Sequence, residues 1–506
     1  MANSVTRCLA LLILMSLSSA VLAQAPGKEK VPALGEPWAR SLSVDFAFDF
    51  YRATVAERKN DAFCCSPHSA MCALAMLAHG TSGKAREEFS RTWPAPGSVA
   101  GTPERTWPSD SLLKGLRAIN VGMQPSPKAI TKMREEISKL EKEVERLPSG
   151  TGDPFGEVQF STPADRKRLE LKLERIKELK GDLTPVEIAI ASSIWVDRTL
   201  PLRPGYVSIA GLQFGAVVES ADFVTESHKE IDRINAWCNE KTRGKIAKLA
   251  DDQNVHPETR ILLANAVYFH AAWEDPFARK RTEKAKFESI SGQVTEVEMM
   301  QEVKRVKFAE FRPDESLNPL QKRPTGSDAS GSEWELPANP GGWKMMELPY
   351  QGGRFSFVAV LPIDRQGLAA LETSMRREHF ERWRKALKAQ EVIVALPRFK
   401  LDSSFDLKPI LKRLELNAIF EQGSLQRISD SPRADSLYLD SVVQRTFIDV
   451  DEEGTEAAAV TGPGGAGGGE PLKPLPEFTA DHPFVYLIRD NRSGVVLFMG
   501  RFTGKG

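Results

Sequence analysis

Near the C-terminus, a strand-like apolar stretch and a run of glycine and proline are joined by Asp451-Glu452-Glu453-Gly454-Thr455-Glu456-Ala457-Ala458-Ala459-Val460-Thr461. Turns are ordinarily built from Gly, Pro, Asn, Asp and Ser. This segment instead holds small residues that accept helix, strand or coil with little strain. Read with the period of two of a strand, Thr455, Ala457, Ala459 and Thr461 share one face, and all four are small. Such a segment can slide between two strands and meet no clash beneath it. Whatever this chain folds into must hold a strand-competent segment in a place it would leave.

The rest of the sequence bounds that fold. The 506 residues are 41% hydrophobic, with 68 basic residues balanced by 68 acidic ones. That composition is globular, and its zero formal charge gives no electrostatic pointer to nucleic acid. Arg7, the apolar run Leu9 to Leu17 and the small residues up to Ala23 predict a secretory signal peptide over 1–23. The run is too short to span a bilayer, and no later stretch is apolar enough, so no membrane is expected as a partner. Secretion to the extracellular space, or to a periplasm, is the expected destination. Four cysteines remain after Gln24: Cys64, Cys65, Cys72 and Cys238. Cys65 and Cys72 lie roughly 10 Å apart along an expected helix, too far to bridge, so buried free thiols are expected.

After a Pro/Gly/Lys-rich lead-in over 24–39, Val44, Phe48, Tyr51 and Val55 recur at helical spacing. Ser66 fits an N-cap with Pro67 at the first helical position, and the helix from Ala70 to Ala78 is apolar nearly all round. Residues 125–182 read as an insertion. Ile130, Met133, Ile137, Leu140, Val144 and Leu147 make a heptad seam, which Leu169, Leu173 and Ile176 repeat after a Gly/Pro break. An antiparallel helical hairpin is predicted, acting as a rigid spur or as a partner-docking arm. Strands follow over Ile188 to Val196 and Ile261 to Phe269, the latter with Asn265 inside it. An amide in a central strand needs hydrogen-bond partners or costs about 1–3 kcal/mol. Residues 313–342 form a second insertion, a disordered loop by composition. Short β-rich segments then alternate to the C-terminus, so the class is α+β.

No catalytic constellation is apparent. The seven histidines show no His-Glu-x-x-His spacing, there is no Cys-x-x-Cys, and no Gly-x-Ser-x-Gly elbow exists. The run Gly462 to Gly469 has neither the Lys-Ser/Thr nor the helix that a phosphate loop needs. Neither a metal nor a cofactor is expected, and the chain is not expected to be an enzyme.

The hinge-like segment, with Phe478 to Phe484 and Leu497-Phe498-Met499-Gly500-Arg501, resembles the corresponding parts of the serpins. So do Phe63 to Ala75, Ile234-Asn235-Ala236-Trp237, Asn265 to Phe269, Trp273-Glu274-Asp275-Pro276-Phe277, Glu347 to Tyr350, Leu396 to Lys400 and Asp440 to Val450, all in serpin order. The resemblance runs from about residue 40 to 503, interrupted by the two insertions.

What the resemblance implies is a monomeric suicide-substrate inhibitor of serine, and in some cases cysteine, endopeptidases. Helices pack on a large mixed β-sheet with smaller sheets beside it, and a reactive-centre loop is exposed. The partner is a target protease, captured as a covalent acyl complex when the cleaved loop inserts as a new strand. The hinge is then Glu452, Glu453, Gly454, Thr455, Glu456, Ala457, Ala458, Ala459 and Val460. Counting forward from Glu452 puts the primary-specificity residue at Gly468 and counting back from Phe478 puts it at Gly469, so the reactive bond is read as Gly468-Gly469, whereas anchoring on Phe484 gives Leu472-Lys473. Ser66, Ser69 and Asn265 match a polar cluster beneath the sheet, with Gln444 where the family usually has histidine. Because glycine weakens a strand and Pro463 removes one ladder hydrogen bond, a non-inhibitory binding or scaffold role is the alternative.

Overall fold

The core is built around two early helices. In the computed structural model, residues 37–94, 109–123, 127–145, 163–183, 186–312, 326–327, 333–334, 342–454 and 474–504 are described. Helix α1 (Pro37–Arg58) turns Val44, Phe48 and Tyr51 inwards at the helical spacing of the sequence. Helix α2 (Pro67–Gly80) is buried at every position except His79, as an all-apolar helix must be. Ser66 sits at its N-cap, but its side chain makes no cap bond. The hydroxyl donates instead to the Leu497 carbonyl at 2.7 Å, because a strand lies directly against the helix start.

The first turn of α2 also buries a histidine. His68 Nε2 lies 2.8 Å from the Asn120 side-chain oxygen, and Nδ1 lies 3.1 Å from the Ser43 hydroxyl. Those partners fit a neutral ring that donates from Nε2 and accepts at Nδ1, and burial pushes its pKa down to about 4. The four described cysteines are buried and unpaired. Burial raises Cys64, Cys72 and Cys238 to about 12, and Cys65 well above its ordinary value, so these thiols are inert.

Helices α3 (Pro127–Glu145) and α4 (Pro163–Leu183) pack along a seam of Met133 and Ile137 against Ile176 and Leu179, with Leu140, Val144 and Leu183 beside them. The seam differs from the predicted one on α4. Leu173 points away, 48% exposed, and Lys172 takes the facing position with its ammonium on Glu143. A lysine stem lies along an apolar seam while its head reaches an acid, so apolar spacing alone misplaces the register. Glu136–Arg175 (3.0 Å) and Glu141–Lys180 (2.8 Å) flank the same seam. The base of α4 is fixed to the body by Asp182. Its buried carboxylate pairs with Arg354 at 2.7 Å and with Arg492, and Arg354 also reaches Asp490 at 3.4 Å. Beside it Gly181 lies so close to the main chain that a Cβ would come within 2.3 Å of the Gly352 oxygen.

Two sheets complete the α+β fold. The smaller has strands β1 (Glu187–Asp197), β2 (Val217–Ala221), β3 (Ile261–His270), β4 (Phe399–Asp406) and β5 (Ser441–Val450), in spatial order β4-β5-β3-β1-β2. Its back face, with Ile194, Leu263, Val267, Val442 and Ile448, joins the main core under α2. Its front face, with Trp195, Leu262, Ala264 and Val443, is covered by helix α5 (Phe223–Lys241). Nine strands form the larger sheet, including Val294–Phe311, Phe355–Pro362, Lys388–Pro397, Phe484–Asp490 and Val496–Phe502. Of the expected loop over 313–342, the described residues Gly326–Ser327 and Glu333–Trp334 pair as two short antiparallel strands.

His68 makes the core acid-sensitive in a defined window. Its folded pKa is depressed, so the neutral ring is the folded form, and the unfolded chain takes up a proton first, below about 6.5. Stability is therefore expected to be full above about pH 6.5 and to fall by about 3 kcal/mol as pH drops to about 4. His68→Gln keeps a donor and an acceptor and should flatten that slope; urea titrations at stepped pH read it directly.

Candidate functional site

In the five-stranded sheet, β3 and β5 run side by side and parallel, from Ser441 opposite Leu262 to Phe447 opposite Tyr268. The strand period puts Ser192, Asn265 and Gln444 on the back face, over the start of α2. There a buried cluster forms. Gln444 Oε1 accepts from the Ser66 amide at 2.9 Å, and its Nε2 donates to the Ser66 carbonyl (3.0 Å) and to Asn265 Oδ1 (2.8 Å). Asn265 Nδ2 donates to Ser69 Oγ (2.6 Å) and Ser192 Oγ (3.0 Å). The structure thus brings Ser66, Ser69, Asn265 and Gln444 together, and adds Ser192, which no sequence motif marks. One bond in the set, Gln444 to Asn265, crosses the seam between β5 and β3.

At the upper end of the seam, β5 runs into a tight turn at Asp451 to Gly454. The Asp451 carboxylate accepts from the amides of Glu453 (3.0 Å) and Gly454 (3.2 Å), and burial pushes its pKa up. Gly454 has φ +138°, and a Cβ there would come within 2.4 Å of the Ala271 oxygen, so only glycine fits. The turn is stitched to the chain beyond β3. The Trp273 amide donates to the Glu453 carbonyl (2.9 Å), its indole to the Asp451 carbonyl (2.9 Å), and the Phe277 amide to the Glu452 carbonyl (2.7 Å). Trp273 is itself held by a flat stack on Tyr350, with ring centroids 4.6 Å apart. The Glu452 carboxylate, 4% exposed, accepts from Thr282 Oγ1 at 2.7 Å and lies 4.0 Å from Arg398; Glu453 pairs with Arg279 at 2.6 Å.

Of the residues read as hinge, Glu452, Glu453 and Gly454 therefore sit at the top of the β3–β5 seam. Thr455, Glu456, Ala457, Ala458, Ala459 and Val460 lie outside the described residues, as do Gly468, Gly469, Leu472 and Lys473. The chain is described again from Pro474, and Glu477–Thr479 pairs in parallel with Lys388–Pro397 at the margin of the larger sheet. The described residues on either side of 455–473 are thus joined to β-structure, Asp451 to Gly454 at the end of β5 and Glu477–Thr479 on Lys388–Pro397. Strand direction adds a constraint. Chain leaving the top of β5 and turning back between β5 and β3 would be antiparallel to both. One slanted parallel ladder would give way to two antiparallel ones, which are slightly more stable per residue.

A family profile described as "Serpin (serine protease inhibitor)" matches residues 41–125, 157–318 and 336–504. Among curated proteins, the chain is 32% identical over 322 residues to a leukocyte elastase inhibitor of Sus scrofa, covering 62% of this chain and 77% of that one. It is 33% identical over 322 residues to Iripin-3 of Ixodes ricinus, covering 63% and 74%. Among solved structures, Serpin48 of Tenebrio molitor is 26% identical with TM-score 0.62, covering 92% of this chain and 98% of that one. The native-state thermophilic serpin tengpin shares the fold at 20% identity and TM-score 0.64, covering 95% and 97%.

Removing the side-chain amide that spans the seam should be costly. Gln444→Leu leaves the Ser66 amide and Asn265 Oδ1 without these partners in the core, at an expected cost of about 2–4 kcal/mol. A urea midpoint equal to that of the unaltered chain would show that the cluster does not hold the seam.

Proposed function

The chain belongs to the serpin family, and from that premise we propose that it is an exported suicide-substrate inhibitor of serine endopeptidases. The observation that carries the reading is the parallel β3–β5 seam, closed across its back by Gln444 and Asn265, with the start of the hinge fastened at its upper end. A protease attacks the segment 455–473 as a substrate and forms an acyl-enzyme. The freed N-terminal part of the segment then slides between β5 and β3.

Gly454 is the pivot. Beyond it Thr455, Ala457, Ala459 and Thr461 would face the underside of the sheet, where Ser66 and Ser69 of the α2 start lie. Once the Gln444–Asn265 bond has opened, small side chains fit there, and each carries a backbone that can pair on both sides. From Thr455 to Gly468 there are 14 residues, against 10 in each of β3 and β5, so the segment is long enough to run the length of the seam. Pro463 forfeits one ladder bond, at about 1–3 kcal/mol, a small loss against two ladders. The protease is carried to the far end of the sheet with its acyl bond intact.

Gly468-Gly469 is the proposed reactive bond. Glycine at the specificity position suits a protease with a small primary pocket, as elastases have, and relatives named as leukocyte elastase inhibitors support that target class. Residues 1–23 are proposed as the signal peptide. The regions about 125–182 and 313–342 are proposed as insertions in one serpin domain.

The decisive experiment is incubation with an elastase-type protease. An SDS-stable complex and a C-terminal fragment beginning at Gly469 are expected; complete cleavage without complex would instead favour a scaffold role. Thr455→Arg places a charge where the first inserted side chain must be buried. It should turn most of the inhibitor into plain substrate, and abolish the rise in melting temperature that cleavage causes in the unaltered protein.

A further inference from the structure

A single turn of the larger sheet touches both chain ends of the strand pair that must move when a strand enters the seam. β1 and β3 pair antiparallel from Glu187 opposite His270 to Val196 opposite Ile261, so the start of β1 and the end of β3 lie together at the upper end of the seam. The turn, residues 350–354, joins Trp343–Pro349 to Phe355–Pro362. On the β3 side, the Gln351 amide donates to the Ala272 carbonyl (2.7 Å) and the Gly352 amide to the Glu274 carboxylate (2.8 Å). On the β1 side, the Gly352 oxygen lies against Gly181, and Arg354 holds Asp182. Only four residues separate Asp182 from Glu187 at the start of β1. The Asp182 side chain is fully buried and takes both Arg354 and Arg492, while Asp490 reaches Arg354 from its other side. A buried ion set gains little stability over apolar packing, and its attested use is to hold one arrangement against others.

We propose that Asp182 is a positioning residue that brakes the opening of the seam; the inference rests on the insertion step of the proposed function. β5 pairs with β4, and a single residue, Arg398, separates β4 from Lys388–Pro397, so this side of the seam stays with the larger sheet. Admitting a strand therefore moves β3, and β1 paired to it, away from β5 by one strand spacing, about 4.8 Å. Through so short a linker the shift reaches Asp182, and its bonds to Arg354 (2.7 Å) and to Arg492 break as the seam opens. The ion set is present in the closed sheet and absent from the opened one, so it adds to the barrier that an entering strand must cross. It acts on rate: it keeps the seam shut until the cleaved segment arrives, and its strength sets how fast that segment enters.

The test adds a synthetic peptide of residues 455–468 to the full, uncleaved chain and follows its uptake as a strand by the rise in urea midpoint with time. The unaltered chain is expected to take it up slowly, and Asp182→Asn at least about ten-fold faster. Arg492→Gln keeps the Asp182–Arg354 pair and should lie between them. Its side chain is partly exposed, so it carries the test if Asp182→Asn does not fold. Glu88→Gln removes a different buried carboxylate, on helix Gly83–Thr92, which accepts from the Asn417 and Ala418 amides (2.8 and 2.7 Å); it should take up the peptide at the unaltered rate. A purely structural role for Asp182 predicts an equal loss of stability before and after uptake, whereas the brake predicts a loss only before it. Equal uptake rates in the unaltered chain and the Asp182 and Arg492 variants, or no uptake by any of them, overturn the proposal. Uptake needs no protease. Faster uptake by Asp182→Asn in a protein that forms no SDS-stable complex with elastase therefore upholds the brake and removes the inhibitor reading.

Discussion

One seam governs this structure: the parallel pairing of β3 with β5. A parallel pair is joined through a long crossover, and here the chain between the two strands makes most of the larger sheet before it returns. The strands meet late in the chain and are closed mainly by seven facing residue pairs and one side-chain bond, Gln444 to Asn265. Everything around the seam fixes its edges without welding them together. Helix α2 presents Ser66 and Ser69 from behind, α5 covers the front, and Trp273 ties the turn at Asp451 to Gly454 across the top. Where the family usually carries histidine, glutamine bridges the seam. Its amide donates and accepts at any pH, so the closure does not titrate. The titrating group nearby is His68, which faces the helices rather than the sheet.

Much of this was legible in the residues. The run of small side chains after Gly454 lies outside the described residues, whereas Asn265 inside an apolar strand announces a buried partner, which proves to be several. The resemblance then supplied Ser66, Ser69 and Gln444. Other parts were hidden for identifiable reasons. Val294–Phe311 alternates, but it carries so many Glu, Lys and Arg residues on its exposed face that it does not stand out as a strand. Glu477–Thr479 is only three residues long and exists because Lys388–Pro397 offers an edge. On α4, a lysine at a seam position breaks the apolar rhythm, so Leu173 looked buried and is not. Asp182 could not be foreseen at all, since its partners Arg354 and Arg492 lie 172 and 310 residues away.

The helical hairpin illustrates how a fold redistributes charge that composition averages away. Pairing acids inwards stabilises the seam modestly, because these ion pairs are partly exposed. Its larger effect is on what remains outside. A neutral helix becomes a dipolar object, acidic towards its neighbour and basic towards solvent. The buried Asp182 cluster adds a different contribution. Removing one member of a buried charge set is costly, so the hairpin is held to the body by more than its linkers.

The direction of the strands at the seam has one more consequence. Once a segment lies antiparallel between β5 and β3, leaving would require two hydrogen-bonded ladders to break before one parallel ladder could re-form. Nothing in the sheet stores the free energy for that return. Under the proposed function, each molecule is therefore a fuse rather than a valve. Its capacity is counted in chains synthesised, not in cycles, and control over it has to act on supply or on the one irreversible step.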